Sequence, residues 1–197
     1  MYPFVRLAWQ FFLHRNDASL TVGDVHISSH YCLPWDLDVW MELNNGRALS
    51  LYDMGRIPMA KRSGLIAALK RRRWGLSVAG SSVRYRKRIR MLDKIEMRST
   101  AICADHRFMY VEQSMWVKGI CAGHALYRTV VTNAHGMVPT DDVLKELDLQ
   151  DSLPSIPDWV AAWIHAEDIR PWPQWNKTRI KTCFENFGPA SSLKMRI

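Results

Sequence analysis

The chain has 197 residues, 48% of them hydrophobic and 23% charged, and a formal net charge of +8. That size and composition fit one globular domain with appendages and exclude a disordered chain. The cation excess points to an anionic partner, such as phosphates, nucleic acid or a membrane surface. Four cysteines without a C-x-x-C pair (Cys32, Cys103, Cys121, Cys183) point to reduced thiols in a cytoplasmic protein, not to a disulfide framework or zinc site.

Residues 1–18 form an apolar, aromatic N-terminal segment. Its core, Leu7–Leu13, falls far short of the ~20 residues that span a bilayer, and no small-residue cleavage site marks a secretory signal. Two readings stand for residues 1–15: a helix packed on the body or a partner, or an interfacial helix in peripheral contact with a membrane.

From Ser19 to Tyr31, Leu20, Val22, Val25, Ile27 and Tyr31 alternate with polar residues around a turn at Gly23-Asp24. A strand or short hairpin is predicted, with His26 and His30 on the opposite face. His30-x-Cys32 would supply only two metal ligands, so no metal is expected. Trp35–Arg56 then combines an acidic turn (Asp36, Asp38), an Asn44-Asn45-Gly46 step and an apolar run at helical spacing (Ala48, Tyr52, Gly55, Met59). Asn44 or Asn45 is the predicted N-cap, and Pro58 is predicted to kink or break the helix at Ile57. Leu65–Arg73 reads as a second helix ending in cations.

Gly75–Arg90, Lys94–Ala104, Arg107–Val117 and Ile120–Thr132 read as strands separated by short breaks, the spacing of antiparallel hairpins. One early helix followed by such strands is an α+β pattern. Thr140–Leu147 and Pro157–Ala166 read as helices, and residues 171–197 as a peripheral tail. The core domain is placed at 19–170.

Asp36, Asp38, Val39, Asn44, Asn45, Tyr52 and Arg56 follow the pattern D-x-D-V-x-x-(H)-x-N-N and then a helix ending in a basic residue. That pattern resembles the signature of the hotdog-fold acyl thioesterases (4-hydroxybenzoyl-CoA thioesterase-like), in the branch typified by animal thioesterase superfamily member six. The likeness runs from about Val25 to about Pro173. It implies a hotdog fold, a long central helix wrapped by a curved antiparallel β-sheet, and hydrolysis of an acyl-CoA of medium or long chain without a cofactor. It also implies a homodimer or homotetramer with the acyl site at the subunit interface, in lipid metabolism.

By the same resemblance Asp38 is the nucleophile or general base, with backbone N–H groups near Asn45 and Gly46 as oxyanion donors. The plain reading of Asp36 and Asp38 is that they bind a turn. Glu42 stands where the family has His. A second carboxylate beside Asp38 would raise one of the two pKa values and could share acid–base work; equally, it faces solvent and marks lost activity, leaving a protein that binds acyl-CoA or lipid without hydrolysing it. Asn44 and Asn45 either cap the helix or hold the catalytic water or Asp38, and Arg56 pairs with a carboxylate, such as Asp53 or one across a dimer, rather than with substrate.

Lys70–Arg90 holds nine of the 27 Lys and Arg residues and no acid. On a strand Arg84, Arg86 and Arg88 share a face suited to the phosphates of coenzyme A; a solvated charged face is the alternative. Nucleic acid is not expected, since no recognition motif accompanies the cations. G-x-S-x-G is absent, so a serine-hydrolase mechanism has no support.

Overall fold

The computed structural model describes residues 2–149 and 153–172. Two compact units make up the chain, 1–156 and 157–197. The C-terminal tail expected at 171–197 lies, from residue 173 on, outside the described residues. In the second unit the described residues form one helix, α5 (Asp158–Ile169).

The first unit runs α1 (Phe4–Leu13), β1 (His26–Tyr31), α2 (Asn45–Arg62), α3 (Leu65–Arg72), β2 (Gly75–Tyr85), β3 (Lys94–Ala104), β4 (Met109–Val117), β5 (Ile120–Asn133), β6 (Gly136–Met137) and α4 (Thr140–Glu146). The main strands lie in the order β1-β3-β4-β5-β2, every neighbouring pair antiparallel. β1 and β2 are therefore the edges.

α2 packs across this sheet. Its Ala48, Leu51, Tyr52 and Met59 join Ile95, Met97, Val111, Met115, Ala125 and Tyr127 in one buried cluster. The approach is close at Gly55, where an added Cβ would stand 2.7 Å from both Met97 Cγ and Ser99 Oγ. Pro58 neither breaks nor ends α2, which continues to Arg62. Pro58 is buried, and packing of this last turn against the body outweighs the one hydrogen bond that proline withholds.

The strand before α2 turns its faces opposite to expectation. Thr21–Asp24 is a turn closed by Thr21 N–H to Asp24 Oδ2 (2.7 Å), and only His26–Tyr31 is extended. His26, Ser28 and His30 point inward, while Ile27 and Tyr31 are 50% and 51% exposed. Each buried histidine finds a partner for one ring nitrogen. Arg62 Nη1 lies 2.9 Å from His26 Nδ1 and Ser28 Oγ 2.8 Å from His30 Nε2.

α1 shields the free edge of β1. Arg6 Nη2 donates to Tyr31 O (2.8 Å) and Gln10 Nε2 to Ser29 O (3.2 Å). The helix thus turns Arg6, Gln10 and His14 toward the body, and leaves Phe4, Val5, Trp9, Phe12 and Leu13 exposed. Covering a strand edge calls for donors, so the polar face is the one that packs.

Candidate active site

A 3₁₀ turn at Pro34–Asp36 leads into the acidic loop. Asp36 is fully buried and bound from three directions. Arg6 Nη1 reaches its Oδ2 at 2.6 Å, Arg47 Nη2 its Oδ1 at 2.9 Å, and Leu33 N–H its Oδ2 at 3.1 Å. Its main-chain carbonyl accepts the N–H of Asn44 (2.8 Å), which fixes the loop against the start of α2. Asp36 is therefore a structural anchor.

Asp38, two residues on, is half-exposed. Its Oδ1 accepts the N–H groups of Trp40 (2.9 Å) and Glu42 (3.3 Å), and its own N–H donates to Glu42 O (2.8 Å). The tight loop needs Met41 at φ +57°. These bonds are the turn-binding role that Asp commonly plays, and they occupy one carboxylate oxygen only.

Glu42 turns toward the basic segment. Its Oε2 lies 3.0 Å from Arg88 Nε, an ion pair without hydrogen-bond alignment. Asn44 is the N-cap of α2, accepting Arg47 N–H on its Oδ1 (3.2 Å). Behind it, the N–H groups of Asn45 and Gly46 belong to the first turn, which an α-helix leaves without internal partners. Asn45 Oδ1 accepts the hydroxyl of Tyr85 (2.5 Å), and burial raises the Tyr85 phenol above its ordinary pKa.

These groups surround a pocket of about 310 Å³ lined by Asp38, Glu42, Leu43, Asn45, Tyr85, Arg86, Lys87, Arg88, Ile89, Met115 and Gly123. Carboxylates and a helix N-terminus face three cations across it. Of the residues singled out from the sequence, Asp38, Glu42, Asn45, Arg86 and Arg88 meet here. Asn44 and Gly46 stand behind the wall, in the first turn of α2.

Arg84 does not join them, because β2 ends at Tyr85 and the strand alternation stops there. Arg84 Nη2 lies 3.4 Å from His124 Nδ1, away from the pocket. Tyr85 and Lys87 take the places that alternation would have denied them. Tyr85 is the only aromatic inside the basic run of 84–90, the one sequence feature that marks it. Arg56 pairs with Asp53, one of the carboxylates expected for it, and also donates to Gln113 Oε1 (3.1 Å).

A helix laid across a curled antiparallel sheet, with a carboxylate pocket at the helix N-terminus, defines a hotdog-fold, thioesterase-like protein. Residues 32–164 match the model of the thioesterase-like superfamily, and the chain belongs to that superfamily. Among curated relatives, the Xenopus laevis protein THEM6 is 36% identical over 88 residues, 45% of this chain and 42% of the relative. The Drosophila melanogaster THEM6 is 26% identical over 141 residues, 70% of this chain and 71% of the relative. The chain thus spans less than half the length of the frog relative.

Among solved structures, the probable thioesterase YbaW from Escherichia coli superposes with a TM-score of 0.59 at 17% identity, over 64% of this chain and 97% of that one. SAV2348 from Staphylococcus aureus, solved in complex with CoA, gives 0.54 at 7% identity, over 71% and 92%. At such identities the likeness establishes the hotdog fold. Among the described residues no helix is long and apolar enough to cross a membrane, and no group of three or more His, Cys, Asp or Glu side chains could hold a metal ion.

Proposed function

We propose that the chain hydrolyses an acyl-CoA thioester, with Asp38 as nucleophile or general base and residues 19–170 as the thioesterase-like domain. The observation that carries this reading is the pocket itself. It sets a carboxylate oxygen free of turn bonds beside a helix N-terminus and opposite Arg86, Lys87 and Arg88. In the water route Asp38 takes a proton as the water oxygen attacks the thioester carbon. The N–H groups of Asn45 and Gly46 receive the developing oxyanion. The C–S bond then breaks, and the thiolate of CoA leaves with that proton. In the covalent route the Asp38 carboxylate attacks the same carbon and the C–S bond breaks with loss of the CoA thiolate; water then hydrolyses the anhydride to the free acid and the Asp38 carboxylate, and its released proton goes to the thiolate.

The three cations suit the phosphates of CoA, and superposable structures include a CoA complex and a gentisyl-coenzyme A thioesterase. The acyl group is of medium or long chain. The protein works as a homodimer or a dimer of dimers, joined through the free edge of β2. It sits in the cytoplasm in peripheral contact with a membrane, through the apolar face that α1 turns outward.

A second reading has its own observation. Glu42 occupies the position of the family's His and is engaged by Arg88, which fits an acyl-CoA-binding protein without turnover. Thiol release from a panel of acyl-CoAs separates the two. Turnover that falls at least ~100-fold in Asp38→Asn, the scale of a lost base or nucleophile, supports hydrolysis at Asp38. Turnover that survives in Asp38→Asn overturns that assignment. Binding without any turnover by the unaltered protein favours the binder.

A further inference from the structure

Tyr52 of α2 is fully buried in the cluster between helix and sheet, and among the described residues its hydroxyl has no hydrogen-bond partner. A buried phenol usually finds one, and leaving it without forfeits the bonds it made to water. Burial raises its pKa well above the ordinary phenol value, and Tyr127, Tyr85 and Cys121 add to the shift. The hydroxyl therefore keeps its proton and stands ready to donate.

That hydroxyl ends against the floor of the pocket that holds Asp38. A Cβ added at Gly123 would stand 3.1 Å from Tyr52 Oη and 3.6 Å from Tyr85 Cδ1. Gly123 and Tyr85 are paired across β5 and β2, and both line the pocket. Gly123 puts no side chain between the hydroxyl and that space. Helical spacing brings Tyr52 there: Asn45, Ala48 and Tyr52 follow at intervals of three and four along one side of α2. Tyr52 lies two turns, roughly 10 Å, beyond Asn45. A helical Cα–Cβ bond tilts toward the N-terminus, which carries the ring back toward the pocket end of α2.

The surroundings hold the ring and leave its hydroxyl unmet. Tyr127 packs edge-on at 5.9 Å between ring centroids, and Ala48, Ile95, Met97 and Met115 share the same buried cluster. The nearby Oδ1 of Asn45 is already taken by the hydroxyl of Tyr85. An acceptor has to come from a bound molecule. With the phosphates of CoA at Arg86, Lys87 and Arg88, the acyl end lies deeper, and the one oxygen that every acyl-CoA carries there is the thioester carbonyl.

We infer that the Tyr52 hydroxyl donates a hydrogen bond to the carbonyl oxygen of a thioester bound at Asp38, beside the N–H groups of Asn45 and Gly46. The inference rests on the hydrolase reading above and deepens it. Tyr52 keeps its O–H bond throughout and transfers no proton. Its bond to the oxygen strengthens as negative charge collects there, and a donor fixed in advance needs no rearrangement at that moment.

Tyr52→Phe tests it, since phenylalanine keeps the ring and removes the hydroxyl. It is expected to lower kcat about 100-fold, the scale of one lost oxyanion donor, and to raise KM by no more than about 5-fold. The thermal midpoint should hold or rise, because an unpartnered buried hydroxyl is gone. A kcat left unchanged overturns the inference, whatever happens to KM. A binding comparison separates Tyr52 from the hydrolase reading. Octanoyl-CoA and its thioether counterpart S-octyl-CoA differ in the carbonyl oxygen, and both are titrated into Asp38→Asn protein with and without Tyr52→Phe. The preference for the thioester is expected to fall about 5-fold when the hydroxyl is removed, the worth of one hydrogen bond. An unchanged preference overturns the inference even where turnover is lost, and so does binding of neither compound. No turnover by the unaltered protein, with the preference falling as expected, strikes the hydrolase reading alone and leaves Tyr52 as the donor to the carbonyl in a binding protein.

Discussion

Arg6 Nη1 stands 2.6 Å from Asp36 Oδ2, and that pair ties the N-terminal helix to the loop that carries Asp38. Asp36 is fully buried, and Arg47 engages its other oxygen. Removing Arg6 leaves the buried carboxylate with Arg47 and the Leu33 N–H only, a cost on the order of 1–3 kcal/mol for a charged hydrogen bond. Removing Asp36 takes the shared carboxylate from both Arg6 and Arg47 and is expected to cost more. Urea midpoints should fall in the order unaltered, Arg6→Ala, Asp36→Ala; an Arg6→Ala protein as stable as the unaltered one would mean α1 contributes nothing to the loop.

The close approach at Gly55 sets a second expectation. Alanine gains roughly 1 kcal/mol of helix propensity over glycine. Its methyl group, however, would meet Met97 and Ser99 at 2.7 Å. Overpacking a tight core costs about 1–3 kcal/mol, and Ser99 Oγ also accepts from Gln113 Nε2 in a buried network. Gly55→Ala is therefore expected to lower the thermal midpoint, and a rise would show that α2 shifts freely on the sheet.

Much of this was legible in advance, and the misses have causes. Periodicity located α2, and the spacing of turn residues located the main strands, because both record burial against one large sheet. The turned faces of β1 were not legible. Its inner residues, His26 and His30, are polar, and what makes them tolerable is Arg62 from the end of α2 and Ser28 two residues away. Nor does alternation announce where a strand stops, so the pattern groups Arg84 with Arg86 and Arg88 although β2 ends at Tyr85. The pairing of Asp36 with Arg6 and Arg47 spans 30 and 11 residues, and no local pattern encodes it. That Asp36 anchors the loop follows from that pairing.

Those two histidines carry a pH dependence. Burial pushes His26 down to about 4 and His30 to about 3, with His14, Arg62 and Arg6 adding like charge and Asp17 opposing it at His26. In the unfolded chain each titrates near its ordinary value of about 6.5. As pH falls below that value the unfolded chain binds protons that the folded chain refuses, so stability is lost from about pH 6.5 down toward 3. Each unit of difference is worth about 1.4 kcal/mol. Urea midpoints at pH 7.5 and pH 5 should therefore differ, and the gap should narrow in His30→Gln. An unchanged gap would assign the acid sensitivity elsewhere.

Tyr85 gives the last expectation, at the site itself. Its hydroxyl donates to Asn45 Oδ1 on the first turn of α2, beside the N–H groups assigned to the oxyanion. Phenylalanine keeps the ring in the wall and removes only that bond, a net loss of about 1 kcal/mol from a neutral hydrogen bond. At this half-exposed position the fold should hardly notice. If the bond orients the helix terminus for the transition state, the loss appears in kcat and not in KM. A fall of about 5- to 10-fold in kcat matches that energy. A change confined to KM would instead make Tyr85 a binding wall for CoA. In that case Asn45 would be held by the helix cap alone, and Asn45→Ala rather than Tyr85→Phe would become the variant that slows the chemical step.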